Sequence, residues 1–87
     1  MKTPQQALES LRQYPQTGNI AAYIAAAEES MTHPIGSVES VAAAHKLHAI
    51  VQSMSASEYR AMHESGGVAM TPTQLAYVQY LEEEENE

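Results

Sequence analysis

The chain carries one helix-start signal at three places, a Ser or Thr with Gln or Glu three residues further on. The three pairs are Thr3 with Gln6, Ser55 with Glu58, and Thr71 with Gln74. In such a capping box each side chain accepts a hydrogen bond from a backbone N–H group at the start of the helix. Proline follows Thr3 and Thr71, and its fixed backbone angle suits the first helical position. Short helices are therefore predicted to begin near residues 4, 56 and 72.

Apolar spacing predicts two more helices between the first and second signals. The first is marked by intervals of three and four, in Ile20, Tyr23, Ile24, Ala27 and Met31. It is expected to begin at Asn19 as cap and to close before Pro34, because a residue before proline disfavours helical geometry. The second is expected to begin after Ser37, which acts as its N-cap.

No segment alternates apolar and polar residues over a length sufficient for a strand. The predicted fold is therefore all-α, a compact single-domain bundle of about five short helices with a central helix near 37–54.

The core of this bundle is predicted to be small. Fourteen of the 87 residues are alanine, and the large apolar set of Leu, Ile, Val, Met and Tyr numbers 24, with no Phe or Trp. That set suffices for one layer of helix-on-helix packing. A buried ligand site of several hundred cubic ångströms, the usual order for small-molecule pockets, is not expected, and no cofactor is predicted.

Cysteine is absent, which excludes disulfides, thiolate zinc sites and cysteine nucleophiles. No apolar run approaches the roughly 20 residues of a membrane span, so no membrane partner is expected. The first ten residues lack the apolar stretch of a signal peptide. A cytoplasmic protein is therefore expected.

The charge is strongly negative and unevenly placed. Eleven Glu against four Lys and Arg give a net charge of −7, and five of the Glu fall in the last six positions. Four scattered basic residues cannot form the footprint that phosphate backbones require, so direct nucleic-acid binding is not expected. A protein partner with a basic surface is compatible with this charge.

The helix near 37–54 has two apolar faces. At about 100° per residue, the first face is centred on Leu47, and its other members are Ala43, Ala44, Ile50, Val51 and Met54. The opposite face holds Val38, Val41, Ala42, His45, His48 and Ala49. A helix that is apolar on two faces is usually central and buried. The alternative is that the second face is exposed and binds a partner or a second copy of the chain.

His45 and His48 are three residues apart, so their side chains are neighbours on that second face. Zinc needs three or four ligands, and the third would have to be His33, His63 or Glu64. Nothing in the sequence ties these together, and no metal site is predicted. A metal- or pH-responsive switch built on the two histidines stays as an alternative function.

No catalytic signature is present. The chain has neither a Gly-x-Ser-x-Gly elbow nor a Gly-rich phosphate loop, so no catalytic residues are assigned and the protein is not expected to be an enzyme.

The acidic end of the chain is expected to be a frayed tail over 83–87, following a helical domain over 1–82. Carboxylates at the C-terminus of a helix have the wrong sign for the helix dipole, and they repel one another. If the tail has a function, it is as a mobile acidic arm. Tyr80 lies off the apolar face of the last helix and is a candidate contact residue, because Tyr is enriched at binding surfaces.

The function predicted from these features is a small, acidic, non-catalytic protein–protein interaction protein. Within this class we favour an inhibitor or adaptor that acts on a larger partner such as nucleic-acid-handling machinery. Small acidic phage proteins that act on such machinery have the same size and charge profile. The main alternative is a structural or assembly protein that self-associates as a homo-oligomer through the second face of the helix near 37–54. The candidate partner-binding residues are Val38, Val41, His45, His48, Tyr80, Glu82, Glu83, Glu84 and Glu85.

Overall fold

The computed structural model describes residues 3–67 and 69–86, and within these ranges all regular structure is α-helical. The five helices are α1 (Pro4–Leu11), α2 (Gly18–Met31), α3 (Val38–Ser53), α4 (Ala56–Ser65) and α5 (Pro72–Glu85). The predicted all-α class and number of helices are confirmed.

The three capping boxes start α1, α4 and α5 as predicted, with each pair of reciprocal hydrogen bonds in place. Ser37 also caps α3, because its hydroxyl accepts from the Ser40 N–H at 3.2 Å. The start of α2 differs from the prediction: Thr17 is its cap and accepts from the Ile20 N–H at 3.3 Å. The Asn19 side chain instead donates to the Ser53 carbonyl at 3.1 Å. A local cap pattern cannot reveal such a distant acceptor.

The chain forms two compact units, one of residues 15–53 and the other of the segments on either side of it. In the 15–53 unit, α2 packs along α3 as a helical hairpin. The buried apolar residues of these two helices are Ile20, Ile24, Ala26, Ala27 and Ala43. An exposed ion pair joins the two helices, with Lys46 Nζ 3.5 Å from a Glu29 carboxylate oxygen.

The other unit is organised around α4, which packs against both α1 and α5. Its buried apolar side chains include Leu8 and Leu11 of α1 and Val78 of α5. Tyr59 of α4 meets Tyr77 of α5 edge-on, with ring centroids 5.1 Å apart. Such edge-to-face pairs favour a defined approach of two helices. The ring contact therefore fixes the facing sides of α4 and α5.

Fewer residues of α3 are buried than expected for a helix at the centre of a bundle. Ala43 is its one buried residue; Leu47, Ile50 and Val51 are half-buried, and Ala44 of the same predicted stripe is exposed. Within its unit the packing partner of α3 is α2, and a helix that packs along one neighbour buries a single stripe. The second apolar face of α3 is therefore left at the surface.

The turn between α2 and α3 depends on a glycine. Gly36 has φ +88°, a left-handed conformation that costs a residue with a Cβ about 1 kcal/mol. We expect Gly36→Ala to lower the free energy of unfolding by about that amount, measured by urea denaturation. Gly18→Ala is the control, because Gly18 is helical and open space surrounds its Cβ position. It should be neutral or stabilising. Equal losses in both variants would contradict this reading of the turn.

The C-terminal helix is longer than predicted. Fraying was expected from residue 83, but α5 continues to Glu85 and ends at Asn86 as its C-cap; residue 87 lies outside the described range. Repulsion within α5 does not act alone, because the carboxylates of Glu82 and Glu85 have partners on α4. Among the described residues no helix is long and apolar enough to cross a bilayer.

Candidate protein-interaction surface

Large apolar side chains are exposed together where α2 passes into α3. We call Met31, Ile35, Val38 and Val41 the turn patch; all four side chains are exposed. Ile35 is 103% exposed and Val38 is 83% exposed. Four of the six exposed large hydrophobic residues among those the structure describes thus fall within eleven consecutive positions. Clustered exposed apolar residues mark interaction sites more often than isolated ones do.

Local sequence explains why the turn patch is exposed. Pro34 ends the helical stretch, and Gly36 supplies the left-handed residue that turns the chain. Ile35 lies between them, in a segment with no helical face that could be buried. The Gly36 N–H donates to the Ser40 hydroxyl at 3.1 Å. That bond joins the segment that carries Ile35 to the first turn of α3, which begins with Val38.

The second face of α3 continues from the turn patch. Ala42, His45, His48 and Ala49 are all exposed, so the structure favours the exposed alternative for this face. The His48 imidazole lies 3.2 Å from the side-chain nitrogen of Gln52. This arrangement offers an apolar strip with two hydrogen-bonding histidines along it.

Beside this face, α2 and α3 form a shallow groove with a volume of about 450 Å³. Its walls are mostly small, with Ala22, Ala25 and Ala26 on α2 and Ala49 on α3. The Glu29–Lys46 ion pair lies at its edge. Small side chains let helices approach closely, because interaxial distance depends on the residues at the contact.

The histidine pair does not gain a third ligand within the described residues. No group of three His, Asp or Glu side chains in residues 3–67 and 69–86 is arranged to hold a metal ion. His63, one of the proposed third ligands, belongs to the other compact unit, and its ring lies tilted against that of Tyr59 with centroids 4.7 Å apart. Burial lowers the pKa of His63 below its ordinary value.

Four consecutive glutamates, Glu82–Glu85, form the acidic run at the end of α5, and two of them contact α4. Glu82 forms an ion pair with Arg60 of α4, and Glu85 accepts a hydrogen bond from the Ala56 N–H at 2.8 Å. A hydrogen bond to Glu84 raises the pKa of Tyr80 above its ordinary value. The structure thus places Glu82 and Glu85 in contact with α4, at the end of the chain where the sequence predicts a frayed tail over 83–87. Tyr80 itself is exposed, as its position off the apolar face of α5 indicated.

A second cavity of about 350 Å³ lies beside α4, with Arg60, His63, Glu64, Met70 and Leu75 among its lining residues. Its charged side chains already have protein partners. Arg60 pairs with Glu82, and Glu64 accepts from the Tyr14 hydroxyl at 3.3 Å. Partial burial, followed by the Glu64 charge, raises the pKa of Tyr14. The polar groups of this cavity are therefore engaged in holding α1, α4 and α5 together.

Sequence reasoning missed three exposed apolar residues. Met31 belongs to the apolar stripe predicted for α2 and is nevertheless exposed, and Leu75 of α5 is exposed as well. Ile35 was passed over as part of a turn. The signal for Ile35 was available, because a large apolar residue between proline and glycine has no helical face to bury it.

No protein-family model matches the chain, and no similar curated protein or solved structure was found.

Proposed function

We propose that this protein is a non-catalytic protein-binding module that docks a segment of a larger partner on the turn patch and the adjoining second face of α3. The observation that carries the proposal is the concentration of exposed Met31, Ile35, Val38 and Val41 within eleven consecutive residues. Burying a Val or Ile side chain on binding contributes roughly 1.5–3 kcal/mol. A few such residues supply the apolar centre typical of a protein interface.

Charge indicates what kind of segment fits there. The chain has a net charge of −7. Residues 15–53 carry Glu28, Glu29 and Glu39 against Lys46. Glu28 precedes Met31 by one helical turn, and Glu39 adjoins Val38. The fitting partner is therefore an apolar segment flanked by Lys or Arg, because opposite charges speed encounter and exclude wrong partners.

A role as inhibitor or adaptor agrees with this surface. A small module that covers an apolar and basic segment of a larger protein either blocks that segment or links it to something else. Proteins that handle nucleic acids carry basic surfaces, so nucleic-acid-handling machinery is the class of partner that we propose. In this role the chain acts by occupying a surface and performs no chemistry.

A pull-down that compares the wild type with the Val41→Glu and Leu75→Glu variants tests this proposal. The two variants make the same kind of change at similarly exposed positions, 48% for Val41 and 51% for Leu75. A partner captured with the wild type should be lost with Val41→Glu and retained with Leu75→Glu, and its binding should weaken with salt. Capture that Val41→Glu leaves unchanged would place the binding surface elsewhere.

Self-association is the second candidate, favoured by the alanine-walled groove between α2 and α3. The charge of the chain argues against it, because each copy has a net charge of −7 and like charges repel. We therefore expect a monomer by multi-angle light scattering at low salt and at high protein concentration. A stable dimer that Val41→Glu dissociates would assign the turn patch to self-association instead.

A further inference from the structure

The acidic run contacts α4 at two points that match in spacing. Ala56 and Arg60 are four residues apart on α4, and Glu85 and Glu82 are three apart on α5. Residues at these spacings lie on one face of a helix. The Glu85–Ala56 hydrogen bond and the Glu82–Arg60 ion pair therefore form two successive rungs between antiparallel helices.

The Glu85 rung satisfies a backbone group that α4 cannot satisfy by itself. The first N–H groups of a helix have no intrahelical acceptor. In α4, the Ser55 and Glu58 N–H groups are satisfied by the capping box. Ala56 is buried, and its N–H donates to Glu85, 29 residues further along the chain. Glu85 therefore acts as an additional N-terminal cap for α4.

These contacts also offset the unfavourable interaction between the acidic run and the dipole of α5. Carboxylates at a helix C-terminus are unfavourable for their own helix, but they are favourable at the N-terminus of another. Glu85 lies at the positive end of α4, and Glu82 lies against a guanidinium. The last turn of α5 is thus stabilised by α4 in spite of its own sequence.

We propose that the acidic run is an ionic latch, in which Glu82 and Glu85 hold the last turn of α5 on the start of α4 and release it when their charges are screened or removed. Release frays α5 to the point expected for the isolated helix and uncovers the buried start of α4 at Ala56. The Arg60–Glu82 pair is half-exposed, so salt weakens it. The ionic strength therefore sets the fraction of molecules in which the latch is closed.

Glu83 provides a matched control within the run. It is exposed, and the structure shows no partner for it among residues 3–67 and 69–86. Glu83→Gln removes the same charge from the same helical turn without touching either rung. A general effect of charge repulsion predicts equal behaviour for changes at positions 82, 83 and 85, whereas the latch predicts that position 83 differs.

Amide hydrogen exchange of residues 81–85, measured by NMR at low and high NaCl, tests the latch. In the wild type, high salt should accelerate exchange about fivefold, the factor expected for loss of a helix cap. The double variant Glu82→Gln/Glu85→Gln should already exchange at low salt as fast as the wild type does at high salt. Its exchange rate should not change with salt. Arg60→Gln should raise the low-salt rate in part, while Glu83→Gln should respond as the wild type does.

Two results would overturn the latch. One is a double variant that exchanges no faster than Glu83→Gln at low salt. The other is a wild-type exchange rate that does not change with salt.

Discussion

We expect Ile20→Ala to lower the free energy of unfolding by about 3 kcal/mol, the middle of the range for truncating a buried isoleucine. The Ile20 side chain is 1% exposed and is among the largest fully buried side chains of the described residues. Its removal leaves a cavity in a core poor in large side chains. A domain of this size has a total stability on the order of 5–10 kcal/mol, so this one change should remove a large part of it.

Ile35→Ala is the matched control, because it deletes the same atoms from a side chain that is fully exposed. Surface substitutions of this kind usually stay within about 0.5 kcal/mol. Urea denaturation followed by circular dichroism measures both variants. Similar losses for Ile20→Ala and Ile35→Ala would mean that Ile35 is covered in solution, and the turn patch would lose its best-exposed residue.

The second large effect is expected on binding. Val38→Glu combined with Ile35→Ser should weaken the affinity for the captured partner by about 100-fold. Two apolar side chains that become buried in a complex contribute several kcal/mol, and tenfold in affinity corresponds to about 1.4 kcal/mol. Isothermal titration calorimetry with the purified partner measures the change.

Misfolding should not complicate this result. Val38 is the first residue of α3, where a glutamate is favoured by the helix dipole, and glutamate has a higher helix propensity than valine. The stability of the double variant should therefore equal that of the wild type. Leu75→Glu controls for added negative charge and should bind normally. If the double variant binds as tightly as the wild type, the turn patch is not the docking surface.

The helix starts could be predicted because capping is local. Thr3, Ser55 and Thr71 each reach a backbone group within three residues, so sequence alone carries the information. The α2 cap shows where local reasoning fails. Both Thr17 and Asn19 are good cap residues, and what distinguishes them is that Asn19 bonds to Ser53, 34 residues away.

The candidate surface could be predicted only in part, because a periodic pattern defines the faces of a helix but not what covers them. The sequence placed Val38, Val41, His45 and His48 on one face of α3, and that face is exposed. It could not tell whether another helix lay over it. The latch was beyond local reasoning for the same reason, since the partner of Glu85 is Ala56.

NMR chemical-shift mapping of the labelled chain with its captured partner reports the docking surface residue by residue. The proposed function predicts that the largest perturbations fall on residues 31–41 and continue along α3 through His45 and His48. Perturbations confined to α4 and α5, with 31–41 unchanged, would contradict it and transfer the binding role to the acidic end of the chain.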